Sequence, residues 1–195
     1  MTVLLLDVMD TIVWDPVRLL PAFFGEASWE ALWPARHPTA WVDFEHGRID
    51  EATFLSRFFA DGRSYDQQGL RRTMFENYRF LPGMEALLAE LAAAGVAMHA
   101  LSNYPSWWEE IEARLRLSRF LSWSFVSCQT GLRKPSPESY LGASLSLALP
   151  GSELLFVDDR QKNVDAAQAA GLGGLRFIDA VQLRADLVAR GILGT

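Results

Sequence analysis

The sequence predicts an α/β fold: a doubly wound parallel sheet with an inserted α-helical cap. Three observations predict it. Short apolar runs of strand length recur along the 195 residues, and each ends in a small set of polar residues. Amphipathic stretches of helical period alternate with these runs, the pattern of a parallel sheet with helices on both faces. Finally, the first run is separated from the next α/β unit by a long, aromatic, helix-like stretch, too long to be a loop. The expected division is a core of residues 1–14 and 80–195 and a cap of residues 15–79.

The first strand, Val3-Leu4-Leu5-Leu6, runs directly into Asp7 and the turn Val8-Met9-Asp10-Thr11. In open α/β sheets the carboxyl ends of parallel strands are where ligands bind, so Asp7 is a candidate nucleophile or metal ligand, with capping of the next segment as the alternative. Through the cap, residues 27–33, 39–46, 51–60 and 66–78 read as short helices punctuated by Pro34, Pro38, Gly47, Gly62 and Gly69. Residues 83–94 form a stronger helix, with Met84, Leu87, Leu88 and Leu91 on one face and Gly95 as its stop. A strand over 96–101 follows, then a helix with Ser106 as N-cap and Glu109 and Glu110 in its first turn. Further helices are expected over 137–147, 163–170 and 180–190, with strands near Phe125, Leu154 and Leu175.

Composition narrows the function. Half the residues are apolar and 22% are charged, ordinary for a globular chain. The net charge of −6 argues against nucleic acid as a main partner, because phosphate-backbone binding rests on basic patches. Cys128 is the single cysteine, so no disulfide can form within the chain. The first apolar run breaks at Asp7 and no run approaches membrane-spanning length, which gives the expectation of a soluble, cytoplasmic protein, monomeric or homodimeric, with no membrane partner.

Four polar sets fall at the ends of apolar runs, in the order Asp7, Ser102-Asn103, Arg133-Lys134-Pro135 and Asp158-Asp159. The order and contexts resemble the haloacid dehalogenase-like superfamily of hydrolases. Its motifs are a strand-end Asp-x-Asp-x-Thr, a strand-end Ser or Thr, a Lys, and a strand-end acidic pair. The resemblance covers the whole chain and implies a Rossmann-like core, a covalent aspartyl-phosphate on Asp7, and a Mg²⁺ ion. Asp7, Asp158, Asp159 and the backbone carbonyl of Met9 would serve as metal ligands or hold the ion through water. It implies that Lys134 neutralises nucleophile and phosphoryl charge, while Ser102 and the Asn103 amide hydrogen-bond the phosphoryl oxygens and Arg133 faces outward or toward substrate. Lys134 is one of only two lysines, the other being Lys162. Phosphonate-cleaving members need a cap lysine, and residues 12–82 have none; dehalogenating members resemble Ser-Ser-Asn where this chain has Asp158-Asp159-Arg160.

Two residues depart from the pattern. Met9 replaces the second aspartate, the family's general acid, and Asp10 stands where a glycine is usual. Losing a general acid costs about 10²–10⁴ in rate, roughly 3–5 kcal/mol of barrier. The expected outcomes are a substrate with a good leaving group, a substitute acid among Asp10, Asp43, Glu45 and His46, or a slow phospho-enzyme. The alternatives to a phosphatase are therefore a catalytically weak protein that binds a phosphorylated ligand or partner, and a dehalogenase-type hydrolase.

The segments around Asp7, His37-Pro38, residues 59–63, Ser102-Asn103-Tyr104-Pro105 and Arg133-Lys134-Pro135 are similar to the flavin mononucleotide (FMN)-hydrolysing members of the superfamily. This implies FMN as the small phosphorylated substrate. Trp29, Trp33, Trp41 and Phe44 cluster in the cap and could sandwich a flat tricyclic ring, with the cap's own core as the alternative role.

Overall fold

The computed structural model describes residues 2–194. Five parallel strands form one sheet in the order β3-β2-β1-β4-β5, comprising β1 (Val3–Leu6), β2 (Met98–Ser102), β3 (Ser122–Val126), β4 (Leu154–Asp158) and β5 (Gly173–Arg176). The first strand is central because it is apolar on both faces. Leu4 and Leu6 pack into one buried cluster, Val3 and Leu5 into another. Sheet order reverses at β1, which pairs with β2 on one side and β4 on the other. That reversal opens a crevice at the carboxyl ends of these strands.

Helices α1 (Leu20–Phe23), α2 (Trp29–Leu32), α3 (Ala40–Glu45), α4 (Glu51–Ser56) and α5 (Gln67–Phe75) lie in the segment after β1. They are short, as the punctuation predicts, and Pro34 turns the end of α2 into a 3₁₀ turn. A further 3₁₀ turn over Pro16–Leu19 and helix α1 went unread in the sequence, because prolines at 16 and 21 interrupt any helical period. Helix α6 (Met84–Ala93) buries Met84, Leu87, Leu88 and Leu91, as its spacing requires. The next helix, α7 (Trp108–Leu115), begins later than Ser106, and no side chain caps it. The residue before it, Trp107, is buried, and its indole donates to Glu51 Oε1 at 2.6 Å.

The strand expected near Phe125 ends at Val126, and Ser127 opens a helical turn, α8 (Ser127–Thr130). The Ser127 hydroxyl is buried, accepting from Tyr104 N–H and donating to the Glu45 carbonyl at 2.5 Å. Helices α9 (Pro137–Leu147) and α10 (Gln161–Ala169) cover the sheet face holding Leu5, while α6 and α11 (Ala180–Ala189) cover the face holding Leu4. The latter cluster continues into the inserted segment through Leu32, Phe44, Phe54, Leu70 and Met74. At one point the two parts touch backbone to backbone: Gly47 has φ +69°, and a Cβ there would lie 2.4 Å from the Cys128 carbonyl oxygen. Among the described residues no helix is long and apolar enough to cross a membrane.

Candidate active site

Topology gathers the four polar sets. Asp7 leaves β1 with its N–H on the Val157 carbonyl at 2.9 Å, and Asp158 ends the neighbouring β4. Lys134 reaches between them from the loop after α8. Its Nζ lies 2.7 Å from Asp7 Oδ1 and 2.8 Å from Asp158 Oδ2, with the lysine and Asp158 almost wholly buried. The lysine's own backbone is clamped by Asn103, whose side chain accepts from Lys134 N–H and donates to its carbonyl, both at 2.8 Å. Asp158 is fixed further by Arg160 N–H at 2.8 Å and by Asn163 Nδ2 at 3.0 Å from each carboxylate oxygen.

Charge does not balance here. Carboxylate oxygens of Asp7, Asp158 and Asp159 lie within 4.8 Å of one another, against one ammonium. Burial pushes the Asp7 carboxyl up to about 7 in spite of Lys134, and Asp158 and Asp159 add repulsion. Asp159 is likewise raised by burial and then by Asp158. Lys134 keeps its proton: burial opposes its charge, but Asp7 and Asp158 outweigh that and raise it. One buried oxygen here, Asp159 Oδ1, has no hydrogen-bond partner among the described residues. Excess negative charge and an orphaned oxygen among oxygen ligands fit a hard divalent cation such as Mg²⁺.

Beside this centre lies a cavity of about 500 Å³, lined by Asp7, Met9 and Lys134 together with inserted-segment residues such as Trp29, Trp33 and Trp41. The sequence model of the haloacid dehalogenase-like hydrolases matches residues 1–171. The chain belongs to that family. It is 46% identical over 191 residues to flavin mononucleotide hydrolase 1, chloroplastic, of Arabidopsis thaliana, covering 97% of this chain and 78% of the relative. A phosphoglycolate phosphatase of Pseudomonas syringae pv. tomato is 30% identical over 131 residues, covering 67% of this chain and 46% of the relative. Among solved structures, a haloacid dehalogenase family enzyme of Bacteroides thetaiotaomicron, in complex with magnesium and inorganic phosphate, superposes with TM-score 0.72 at 18% identity, covering 94% of this chain and 98% of that one. An L-2-haloacid dehalogenase of Xanthobacter autotrophicus superposes with TM-score 0.63 at 18% identity, over 98% and 84% of the two chains.

Against the haloacid dehalogenase-like pattern, Asp7, Lys134, Asp158 and Asp159 come together. Asn103, Arg133, Met9 and Trp41 line the cavity. Asn103 commits its side chain to Lys134 rather than offering it to a ligand. Arg133 turns to the inserted segment, its Nε 2.7 Å from Glu45 Oε2. Ser102 ends β2 as expected, but it does not line the main cavity, and its buried hydroxyl has no partner among the described residues.

Phe44 needs correction. It is 1% exposed, stacks on Phe54 at 4.9 Å, and does not line the cavity. On α3, Ala40 and Phe44 enter the hydrophobic cluster, while Trp41 and Glu45, also four residues apart, are bonded to each other at 2.7 Å and line the cavity. Trp29 and Trp33 do line it, and the Arg36 guanidinium lies 5.2 and 4.3 Å from their rings.

Of the substitute acids expected from the sequence, Asp43 is bonded to Thr39 and Arg48, and His46 Nδ1 lies 3.1 Å from the Gly131 carbonyl; neither lines the cavity. Asp10 pairs with Arg18 at 2.6 Å, also outside the lining. Glu45 lines it with both oxygens occupied, and burial raises its carboxyl despite Arg133. Asp15 and Asn163 are among the lining residues that the sequence did not reveal. An Asp-Pro step after a strand was the available sign of Asp15. Asn163, five residues after Asp158, had no comparable sign.

Proposed function

We propose that the chain is a Mg²⁺-dependent phosphatase of small phosphorylated metabolites, FMN first among them, working through an aspartyl-phosphate on Asp7. The observation that carries this reading is a lone buried ammonium between two strand-end carboxylates at the edge of an indole-walled cavity. A cavity of about 500 Å³ lies within the range of small-molecule sites, about 300–1,000 Å³. The 46% identity with the Arabidopsis FMN hydrolase supports the choice of substrate.

Asp7 is the attacking group, its oxygen held by Lys134 Nζ at 2.7 Å. That ammonium counters the charge of nucleophile and phosphoryl oxygens together, from a preorganised place within a polar clamp. Asn103 holds the lysine's backbone in register. Asn163 and Arg160 hold Asp158 so that its carboxylate stays turned toward the centre. Asp7, Asp158, Asp159 and the Met9 carbonyl would hold Mg²⁺, which would supply positive charge to offset the repulsion between phosphoryl group and carboxylate. The Ser102 hydroxyl, unpartnered among the described residues but buried at the end of β2 outside the lining of the main cavity, would have to turn toward the site to donate to a phosphoryl oxygen. Trp29, Trp33 and Trp41 offer flat faces for a ring system.

The test is phosphate release from FMN and from 4-nitrophenyl phosphate, with Mg²⁺ and with chelator, by wild-type protein and by Asp7→Asn. Release should need Mg²⁺ and fall below detection in the variant, while its circular dichroism stays that of the wild type. Activity retained by Asp7→Asn would end the covalent reading. Absence of FMN turnover beside brisk turnover of sugar phosphates would end the substrate assignment alone.

A further inference from the structure

A phosphatase acting on an alkyl ester must protonate the departing oxygen, and Met9 cannot do so. The need for another donor rests on the phosphatase reading. Asp15, eight residues beyond Asp7 in sequence, lines the same cavity as Asp7 and Met9. It is held from two sides. Its backbone N–H donates to Asp10 Oδ1 at 3.3 Å, and its Oδ1 accepts from Val17 N–H at 3.0 Å. Pro16 follows at the first position of the 3₁₀ turn, where its fixed φ helps to set the local chain direction. Only one oxygen of the carboxyl is thereby engaged, and the other makes no hydrogen bond among the described residues.

The second departure from the family pattern now has a use. Asp10 has φ +57°, a left-handed conformation that a glycine would adopt without strain. An aspartate there accepts that strain, yet it reaches both the Asp15 N–H and Arg18. Met9 removes a carboxyl from its usual place, and Asp10 braces another one at the cavity wall.

We propose that Asp15 is the general acid and base of this enzyme, in place of the carboxyl that Met9 lacks. Burial pushes the Asp15 carboxyl up to about 6, within reach of neutral pH; Val17 N–H lowers it and Asp10 raises it. Arg18 and Arg160 also bear on it and lower it, and Asp15 in turn raises the buried Tyr78 and Tyr104 hydroxyls.

The chemistry balances in two steps. An Asp7 oxygen attacks phosphorus as the ester P–O bond breaks; the bonding pair goes to the ester oxygen, which takes the Asp15 proton and leaves as the alcohol. The Asp15 carboxylate then takes a proton from a water molecule whose oxygen attacks the aspartyl-phosphate. Phosphate is released, the Asp7 carboxylate is freed and the Asp15 carboxyl is restored.

The experiment compares wild-type protein, Asp15→Asn and Asp15→Ser on FMN and glycerol 2-phosphate, whose leaving groups need a proton, and on 4-nitrophenyl phosphate, whose leaving group barely does. Asn and Ser both keep an N-cap acceptor for Val17, so either variant retains the turn. Expected is a fall in kcat/KM of about 10²-fold or more on the alkyl esters and less than about tenfold on the aryl ester. The wild-type alkyl profile should also decline as pH rises past about 6, a limb missing in Asp15→Asn. Met9→Asp in the Asp15→Asn background should restore alkyl turnover. Equal loss on both ester classes, or none, overturns the role of Asp15 and leaves the phosphatase reading standing. Wild-type protein inert toward all three esters overturns the phosphatase reading and this proposal with it.

Discussion

Replacing Lys134 by methionine keeps the length of the side chain and deletes the ammonium that Asp7 and Asp158 share. Both contacts are short, 2.7 and 2.8 Å, and the three side chains are 2%, 11% and 0% exposed, so solvent screens little of the effect. Removing one partner of such a buried pair costs about 3–5 kcal/mol, because the remaining charge is left uncompensated. At about 2–4 °C per kcal/mol for a chain of this size, Tm should drop by roughly 6–20 °C in chelator. The loss should be smaller at pH 6 than at pH 8. Asp7, raised to about 7 even beside the lysine, rises further without it, and its protonation relieves the repulsion. Mg²⁺ should stabilise the variant more than the wild type, since the ion then supplies charge that the lysine no longer does. Phosphate release should still fall by about 10²–10³, the loss seen when one preorganised electrostatic group is deleted. Thermal unfolding at the two pH values, with and without Mg²⁺, measures all of this, and Lys162→Met, an exposed site, serves as control. A Tm in chelator at pH 8 equal to that control would refute the argument that Lys134 neutralises the acids.

Two further outcomes separate packing from chemistry. Phe44→Ala should destabilise by about 3–5 kcal/mol, whereas Trp33→Ala, at a ring 63% exposed on the cavity, should leave Tm within about 2 °C and raise KM for FMN; calorimetry and steady-state kinetics distinguish them. Asp15→Asn should stabilise the protein by about 1–3 kcal/mol above pH 6. Because the folded-state carboxyl is raised from 3.8 to about 6, the wild type bears no ionisation cost below pH 3.8 and the full cost above 6. The stabilisation should therefore fade toward pH 4, and a pH-independent difference in denaturant midpoints would contradict it.

The chemistry at the strand ends was legible in the sequence because topology does the gathering. Asp7, Lys134 and Asp158 are scattered along the chain, yet an apolar strand delivers each acid to the same edge, and one loop can span the gap for the lysine. What the sequence did not disclose depends on how the inserted helices settle. On a six-residue helix, residues 41 and 44 are both aromatic, and no period is long enough to say which faces inward. Asp15 gave no periodic sign in the sequence, because the short turn that it starts, through Val17 N–H, has prolines in and after it where a helical period would show. Its presence in the cavity wall comes from tertiary contacts that no local pattern encodes. Asn163 likewise lies inside the first turn of α10, two residues after its start, where only the fold turns it back to Asp158.

The stitching of the inserted segment to the loop after β3 bears on how such enzymes can diversify. Within three residues of that segment, the Glu45 carbonyl takes the Ser127 hydroxyl, the Glu45 carboxylate takes Arg133, His46 meets the Gly131 carbonyl and Gly47 lies against Cys128. The partners all belong to the stretch that ends in Lys134. An insert with a side chain at position 47 would drive a Cβ into the Cys128 backbone, and one without the Glu45 and His46 contacts would leave the loop beneath the ammonium unsupported. In this chain, substrate preference is therefore open to change by point substitution in the indole-lined wall, whereas exchange of the insert also demands a matching lysine loop.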